Sequence, residues 1–121
     1  MPKKILIIDD EPHIIMMVKS RLRANGFDVV TAENGAAGFE TAKKEKPDLI
    51  ILDVLMPEMN GIETLTKLKN TDETKDIPVI MFTAKGQAED VEKAQEAGAC
   101  DYLVKPFSPP ILLEKVTKAL T

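Results

Sequence analysis

Lys4-Ile5-Leu6-Ile7-Ile8-Asp9-Asp10-Glu11-Pro12 decides how this chain folds. Four aliphatic residues follow Lys4 without alternation, the mark of a strand buried on both faces, as in a parallel sheet. Three acids then end the run abruptly. Pro12 suits the first turn of a helix, where its missing N–H would have no partner anyway. The helix it opens carries Ile14, Ile15, Val18 and Leu22 at helical spacing, and Asn25-Gly26 supplies its stop. Strand, acidic turn and helix thus succeed one another within a single short stretch.

The same unit recurs outward from there. Residues 28–32, 49–52, 79–82 and 101–104 read as further strands, spaced at roughly 20–30 residues. Between them, a second helix opens near Asn34-Gly35 and stops before Pro47. A third covers about 61–70, with Ile62, Leu65 and Leu68 on one stripe. A fourth covers about 88–97 and ends at Gly98, a good left-handed cap. The fifth opens on Ser108 as N-cap with Pro109-Pro110 in its first turn, and Leu113, Val116 and Leu120 share a face. Right-handed crossovers then place helices on both sides of a central parallel sheet. The expectation is a single α/β domain of the (βα)5 type, doubly wound, covering residues 1–121.

Composition narrows the function. The chain has 121 residues and a formal net charge of −4, with 16 basic and 20 acidic residues interspersed. That length suits one domain, and the charge offers no basic footprint for direct nucleic-acid binding. The single cysteine, Cys100, excludes an internal disulfide framework and suits a reducing cytoplasm. No apolar run has membrane-spanning length, and Met1-Pro2-Lys3-Lys4 leads straight into a strand rather than into a signal peptide. A soluble, cytoplasmic protein is expected.

In an open parallel sheet, ligands bind outside the carboxyl ends of the strands, where the strand order reverses. The residues following the strands are Asp9 and Asp10 after the first, Asp53 after the third, Thr83 after the fourth and Lys105 after the fifth. If strands one and three are neighbours, as in the order 2-1-3-4-5, three carboxylates converge. Two bare carboxylates about 4 Å apart repel by about 4 kcal/mol at an effective dielectric near 20. Such a cluster must protonate, recruit a cation or hold a lysine close. An all-oxygen donor set with open positions favours Mg2+, and His13 as the sole histidine leaves no zinc grouping. Each residue alone has an ordinary reading: acids at a helix start complement its dipole, Asp53 and Thr83 cap turns, and Lys105 is a solvated lysine. Five such residues on one sheet edge carry the weight that none carries alone.

These residues bring a resemblance with them. Ile7-Ile8-Asp9-Asp10-Glu11, Leu52-Asp53-Val54-Leu55-Met56-Pro57 with Gly61, Phe82-Thr83-Ala84, and Asp101-Tyr102-Leu103-Val104-Lys105-Pro106-Phe107 resemble the blocks of a CheY-like response-regulator receiver domain. The resemblance covers essentially the whole chain. It implies the flavodoxin-like/CheY-like fold, with a five-stranded parallel sheet in the order 2-1-3-4-5. It further implies that Asp53 is the phosphoacceptor and that Asp9, Asp10, Asp53 and the backbone carbonyl of Leu55 hold Mg2+, Asp9 largely through water. Lys105 would pair with Asp53 at rest and with a phosphoryl oxygen afterwards, and Thr83 would donate its hydroxyl to another. Thr83 drawn inward would let Tyr102 turn from exposed to buried, remodelling the surface of the fourth helix, fifth strand and fifth helix.

By the same resemblance the phosphodonor is a histidine kinase or histidine phosphotransfer protein, and a downstream protein reads the remodelled surface. Dimerisation on phosphorylation through helices four and five stays open. The Lys105-Pro106 bond would be cis. Leu55 and Lys85 occupy positions that tune phosphoryl lifetime, and an apolar Leu55 cannot orient an attacking water, which predicts slow self-dephosphorylation. The chain would promote its own phosphorylation and dephosphorylation without turning over an external metabolite. Met16 and Met17 lie on the helix where family members meet the phosphodonor, and helical spacing lets at least one be core. His13 reads as solvated, and Cys100 as a packing residue.

Three alternatives stay open at this point. A haloacid-dehalogenase-like phosphatase needs an acid two residues after its nucleophile, where Leu55 stands. A flavodoxin-like electron carrier wants a glycine- and hydroxyl-rich loop where Asp9-Asp10-Glu11 stands. A degenerate receiver would bind partners without accepting phosphate, although all five site residues are present.

Overall fold

The computed structural model describes residues 2–54, 61–84, 88–105 and 108–121. Strands and helices alternate as β1 (Lys4–Ile8), α1 (Pro12–Ala24), β2 (Asp28–Ala32), α2 (Gly35–Glu45), β3 (Leu49–Asp53), α3 (Gly61–Lys69), β4 (Val79–Ala84), α4 (Ala88–Glu96), β5 (Asp101–Lys105) and α5 (Pro109–Leu120). The five strands form one sheet in the order β2-β1-β3-β4-β5, and every described pairing is parallel. This is the doubly wound (βα)5 architecture expected from the sequence.

Side-chain alternation divides the core into two layers. Leu6, Ile8, Ile50, Leu52, Val79 and Met81 point to one face, where they meet Phe39 and Ala42 of α2, Leu65 and Leu68 of α3, and Ala94 of α4. Ile5, Ile7, Leu49, Ile51, Ile80, Phe82 and Leu103 point to the other, against Val18 and Leu22 of α1 and Leu112 and Val116 of α5. Because both faces are covered, the central strands are apolar without a break.

The ends of the elements follow local chemistry. Asn34 caps α2 by accepting from the N–H of Ala37 at 2.8 Å. Ser108 stands at the N-cap of α5 but makes no side-chain capping bond; Pro109 supplies the fixed first turn. Gly98 after α4 adopts φ 109°, a left-handed conformation that costs glycine nothing.

Four expectations need correction. Strand three ends on Asp53, strand four on Ala84 and strand five on Lys105, each one or two residues later than the apolar runs suggest. The reason is that pairing of the backbone continues past the last apolar side chain. On α5 the fully buried pair is Leu112 and Val116, while Leu113 and Leu120 are only partly buried. Neither methionine of α1 is core: Met16 is 68% and Met17 38% exposed, because Ile14, Ile15, Val18 and Leu22 take the inward face. Cys100 is an exposed residue rather than a packed one.

Gly61 is where the fold presses on the site. A Cβ there would stand 2.1 Å from the carbonyl oxygen of Asp53 and 2.7 Å from Cα of Val54. Its N–H donates to the carbonyl of Val54 at 2.8 Å. Backbone cannot swing aside as a side-chain tip can, so Gly61→Ala is expected to cost about 1–3 kcal/mol. A lowered urea midpoint checks this; an unchanged midpoint would show that the start of α3 can move away freely.

Candidate functional site

The site grows from sheet register. Ile7 lies opposite Ile51 and Ile8 opposite Leu52, so the next step along both strands sets Asp9 beside Asp53. On the far side of β3, Asp53 pairs with Phe82, and beyond it Ala84 of β4 pairs with Lys105. Asp9, Asp53 and Lys105 also share the alternation of Ile7, Ile51 and Leu103. All three therefore belong to the α1/α5 face of the sheet at its carboxyl edge.

The carboxylates do converge. Asp9, Asp10, Glu11 and Asp53 each offer an oxygen within 4.8 Å of the others. Asp9 is fully buried and Asp53 is 5% exposed, whereas Asp10 lies at the surface. Lys105 reaches into this group. Its Nζ donates to Oδ2 of Asp9 and to Oε1 of Glu11, both at 3.1 Å, and stands 3.5 Å from Oδ2 of Asp53. The other oxygen of Asp9 accepts the N–H of Glu11 at 3.0 Å, so both oxygens of this buried group have donors. The Phe82 ring lies 5.7 Å from the ammonium and lines the floor.

Among the described residues, one ammonium faces four carboxylates, a formal surplus of three negative charges. Burial by itself would lower the pKa of Lys105. The charges of Asp53 and Asp9, and the hydrogen bonds it donates to Glu11 and Asp9, outweigh burial and hold it above its ordinary value. A raised folded pKa means that the stabilisation is fully present below the unfolded value of about 10.4, and is lost as pH rises through the higher folded value. The difference in urea midpoint between wild type and Lys105→Met should therefore stay constant from neutral pH to about 9 and shrink only in strong alkali. A difference that shrinks near neutrality would contradict this charge balance.

An all-oxygen, strongly anionic group with one exposed member fits a hard divalent cation, and Mg2+ suits it by charge and donor type. Glu11 is the residue that the sequence reading left out of the site. Its signal was present, since it is the third acid of one turn, but contact with Lys105 depends on strands far apart in sequence.

Elsewhere in the site the placement is mixed. Thr83 lies in β4 opposite Val104, at the expected edge; its side chain lies outside the described residues. Leu55, Lys85 and Pro106 also lie outside them, and with them the lifetime positions and the cis bond. Tyr102 is partly buried and packs on the α2/α3/α4 side of the core, with Nζ of Lys115 5.3 Å from its ring. His13 is exposed as expected and pairs loosely with Glu11 at 3.6 Å. Although Cys100 is exposed as a residue, partial desolvation of its thiol and then the Asp101 carboxylate push the pKa up, which disfavours the reactive thiolate. Among the described residues, no helix is long and apolar enough to cross a membrane.

Comparison with known families matches residues 5–117 to the response regulator receiver domain. The chain belongs to that family. It is a receiver domain of two-component signalling, a family whose phosphoacceptor role fits this acidic site, whose members use Mg2+, and which interacts with histidine kinases and downstream targets. The receiver domain is 46% identical over 121 residues to the chemotaxis protein CheY of Bacillus subtilis, covering 99% of each chain. It is 43% identical to the alkaline phosphatase synthesis transcriptional regulatory protein PhoP of the same organism, but there it spans 45% of the relative's length. Likewise it spans 51% of the phosphate regulon regulator PhoB of Escherichia coli, at 41% identity. Among solved structures, Vibrio cholerae CheY4 superposes with a TM-score of 0.94 at 34% identity, covering 99% of this chain and all of that one. A putative response regulator from Chloroflexus aurantiacus gives 0.95 at 35% identity, covering 99% and 98%.

Proposed function

We propose that residues 1–121 act as one receiver unit in which Asp53 accepts a phosphoryl group from a phosphohistidine donor and thereby switches a protein-binding surface. The observation that carries the reading is the carboxylate cluster of Asp9, Asp10, Glu11 and Asp53, with the Lys105 ammonium 3.5 Å from Asp53. A carboxylate oxygen of Asp53 attacks phosphorus and forms a P–O bond. The bond from phosphorus to the donor imidazole nitrogen breaks, its electron pair leaves with the imidazole, and that nitrogen takes a proton from water. Later attack of water on phosphorus returns the Asp53 carboxylate and releases inorganic phosphate. These two reactions, performed on its own side chain, are all the chemistry proposed for the domain.

Asp9, Asp10, Asp53 and the Leu55 carbonyl would hold Mg2+. When bound, Mg2+ supplies positive charge that offsets the repulsion between Asp53 and an incoming phosphate. Lys105 adds a charge that moves from carboxylate to phosphoryl oxygen, and the Thr83 hydroxyl donates to another oxygen. Thr83 drawn toward the phosphoryl group frees space for Tyr102 to bury. This alters the face formed by α4, β5 and α5, where Val104 and Ile111 are exposed apolar residues. Leu55 and Lys85 tune the lifetime of the phosphoryl group. The donor is a histidine kinase or histidine phosphotransfer protein, the reader of the switched face is a protein, and the setting is cytoplasmic.

Incubation with Mg2+ and a small-molecule phosphodonor, followed by intact-mass measurement and peptide mapping, tests the reading. One added phosphoryl group located on Asp53 is the expected result. No adduct, with Mg2+ binding confirmed by calorimetry, would overturn it in favour of a receiver that only binds partners.

A further inference from the structure

We infer that Glu11 is a positioning residue for Lys105. Its carboxylate holds the ammonium on the β1 side of the site, and Lys105 must give up that contact to serve a phosphoryl group on Asp53. The inference rests on the phosphoacceptor reading of Asp53. Lys105 lies nearer to Glu11 and Asp9, at 3.1 Å each, than to Asp53, at 3.5 Å. The carbon stem of Lys105 rises from the end of β5, with β3 and β4 between it and β1, so the ammonium spans the site to reach them.

The two holders differ in kind. Asp9 is fully buried and has its second oxygen committed to the N–H of Glu11, so it cannot let go without leaving a buried charge uncompensated. The Glu11 side chain is 43% exposed, and water readily replaces the lysine there. Its backbone is tied to Asp9, which keeps the carboxylate at the mouth of the site. Glu11 is thus the contact that Lys105 can exchange.

Removing this competitor frees Lys105 for the phosphoryl group. Glu11→Gln is expected to raise the rate of phosphorylation by a small-molecule phosphodonor about two- to fivefold, the scale of one partly exposed charged contact. A general loss of negative charge would also speed an anionic donor, so the change is repeated in a Lys105→Met background, with Mg2+ present and folding checked by circular dichroism. A gain that disappears without Lys105 supports the inference. An equal gain in both backgrounds, or a slower rate in Glu11→Gln, overturns it.

A second measurement needs no phosphodonor. The Lys105 ammonium should exchange its protons with water faster in Glu11→Gln than in wild type, read from its nitrogen-15 resonance. Exchange as slow as in wild type overturns the inference. Failure of wild type to form any adduct would overturn the phosphoacceptor reading instead, and the exchange measurement still decides the role of Glu11.

Discussion

Asparagine at position 53 is expected to abolish phosphoryl acceptance while leaving the domain at least as stable as before. The amide keeps the shape of the carboxylate but lacks its nucleophilic oxygen, so the rate should fall by at least about 10^4-fold. Stability moves the other way for an electrostatic reason. Among the described residues, four carboxylates share one ammonium at this edge, and neutralising Asp53 removes like-charge repulsion without depriving Lys105 of Asp9 and Glu11. A gain of about 1 kcal/mol in metal-free buffer is expected, read as a higher urea midpoint, and added Mg2+ should stabilise the variant less than the wild type. A lower midpoint in metal-free buffer would mean that Asp53 is held by Lys105 more strongly than its fellow acids repel it.

Removing the ammonium should have the opposite effect. In Lys105→Met, Asp9 remains fully buried with the N–H of Glu11 on one oxygen and no cation on the other. An unpaired buried charge of this kind costs about 3–5 kcal/mol, and the low end is expected because Asp10 and Glu11 keep the edge partly wet. Mg2+ should recover much of that loss, since the freed carboxylates gain a divalent partner; the midpoint should rise more with Mg2+ than it does in wild type. Phosphorylation should persist in this variant, but the conformational response should not. Tyr102 reports on this, being the one tyrosine in a chain without tryptophan. Its ring signals should change on phosphorylation of wild type and stay fixed in Lys105→Met. A full Tyr102 response in the variant would contradict the role given to the ammonium.

Much of the fold was legible because its signals are local. Uninterrupted aliphatic runs such as Ile5–Ile8 need cover on both faces, and Pro12, Asn34 and Gly98 act through their own backbone. Strand ends were less legible: Asp53 and Lys105 read as residues beyond their strands, since side-chain polarity says nothing of how far a neighbour's backbone continues to pair. The inward faces of α1 and α5 were read only in part. Met16 and Leu112 are apolar alike, and the helix's rotation against the sheet sends one out and the other in.

That Asp9, Asp10, Asp53, Thr83 and Lys105 lie at one sheet edge followed from the sequence by itself, because the carboxyl ends of parallel strands must gather at one end. The partners of Lys105 did not. The sequence pointed to Asp53; the tertiary structure brings Asp9 and Glu11 closer still, through hydrogen bonds between residues 96 and 94 positions apart. Which of several nearby carboxylates a lysine prefers is set by differences of a few tenths of an ångström and by who is buried. Such differences arise only once five strands are in register and two helices close the face above them.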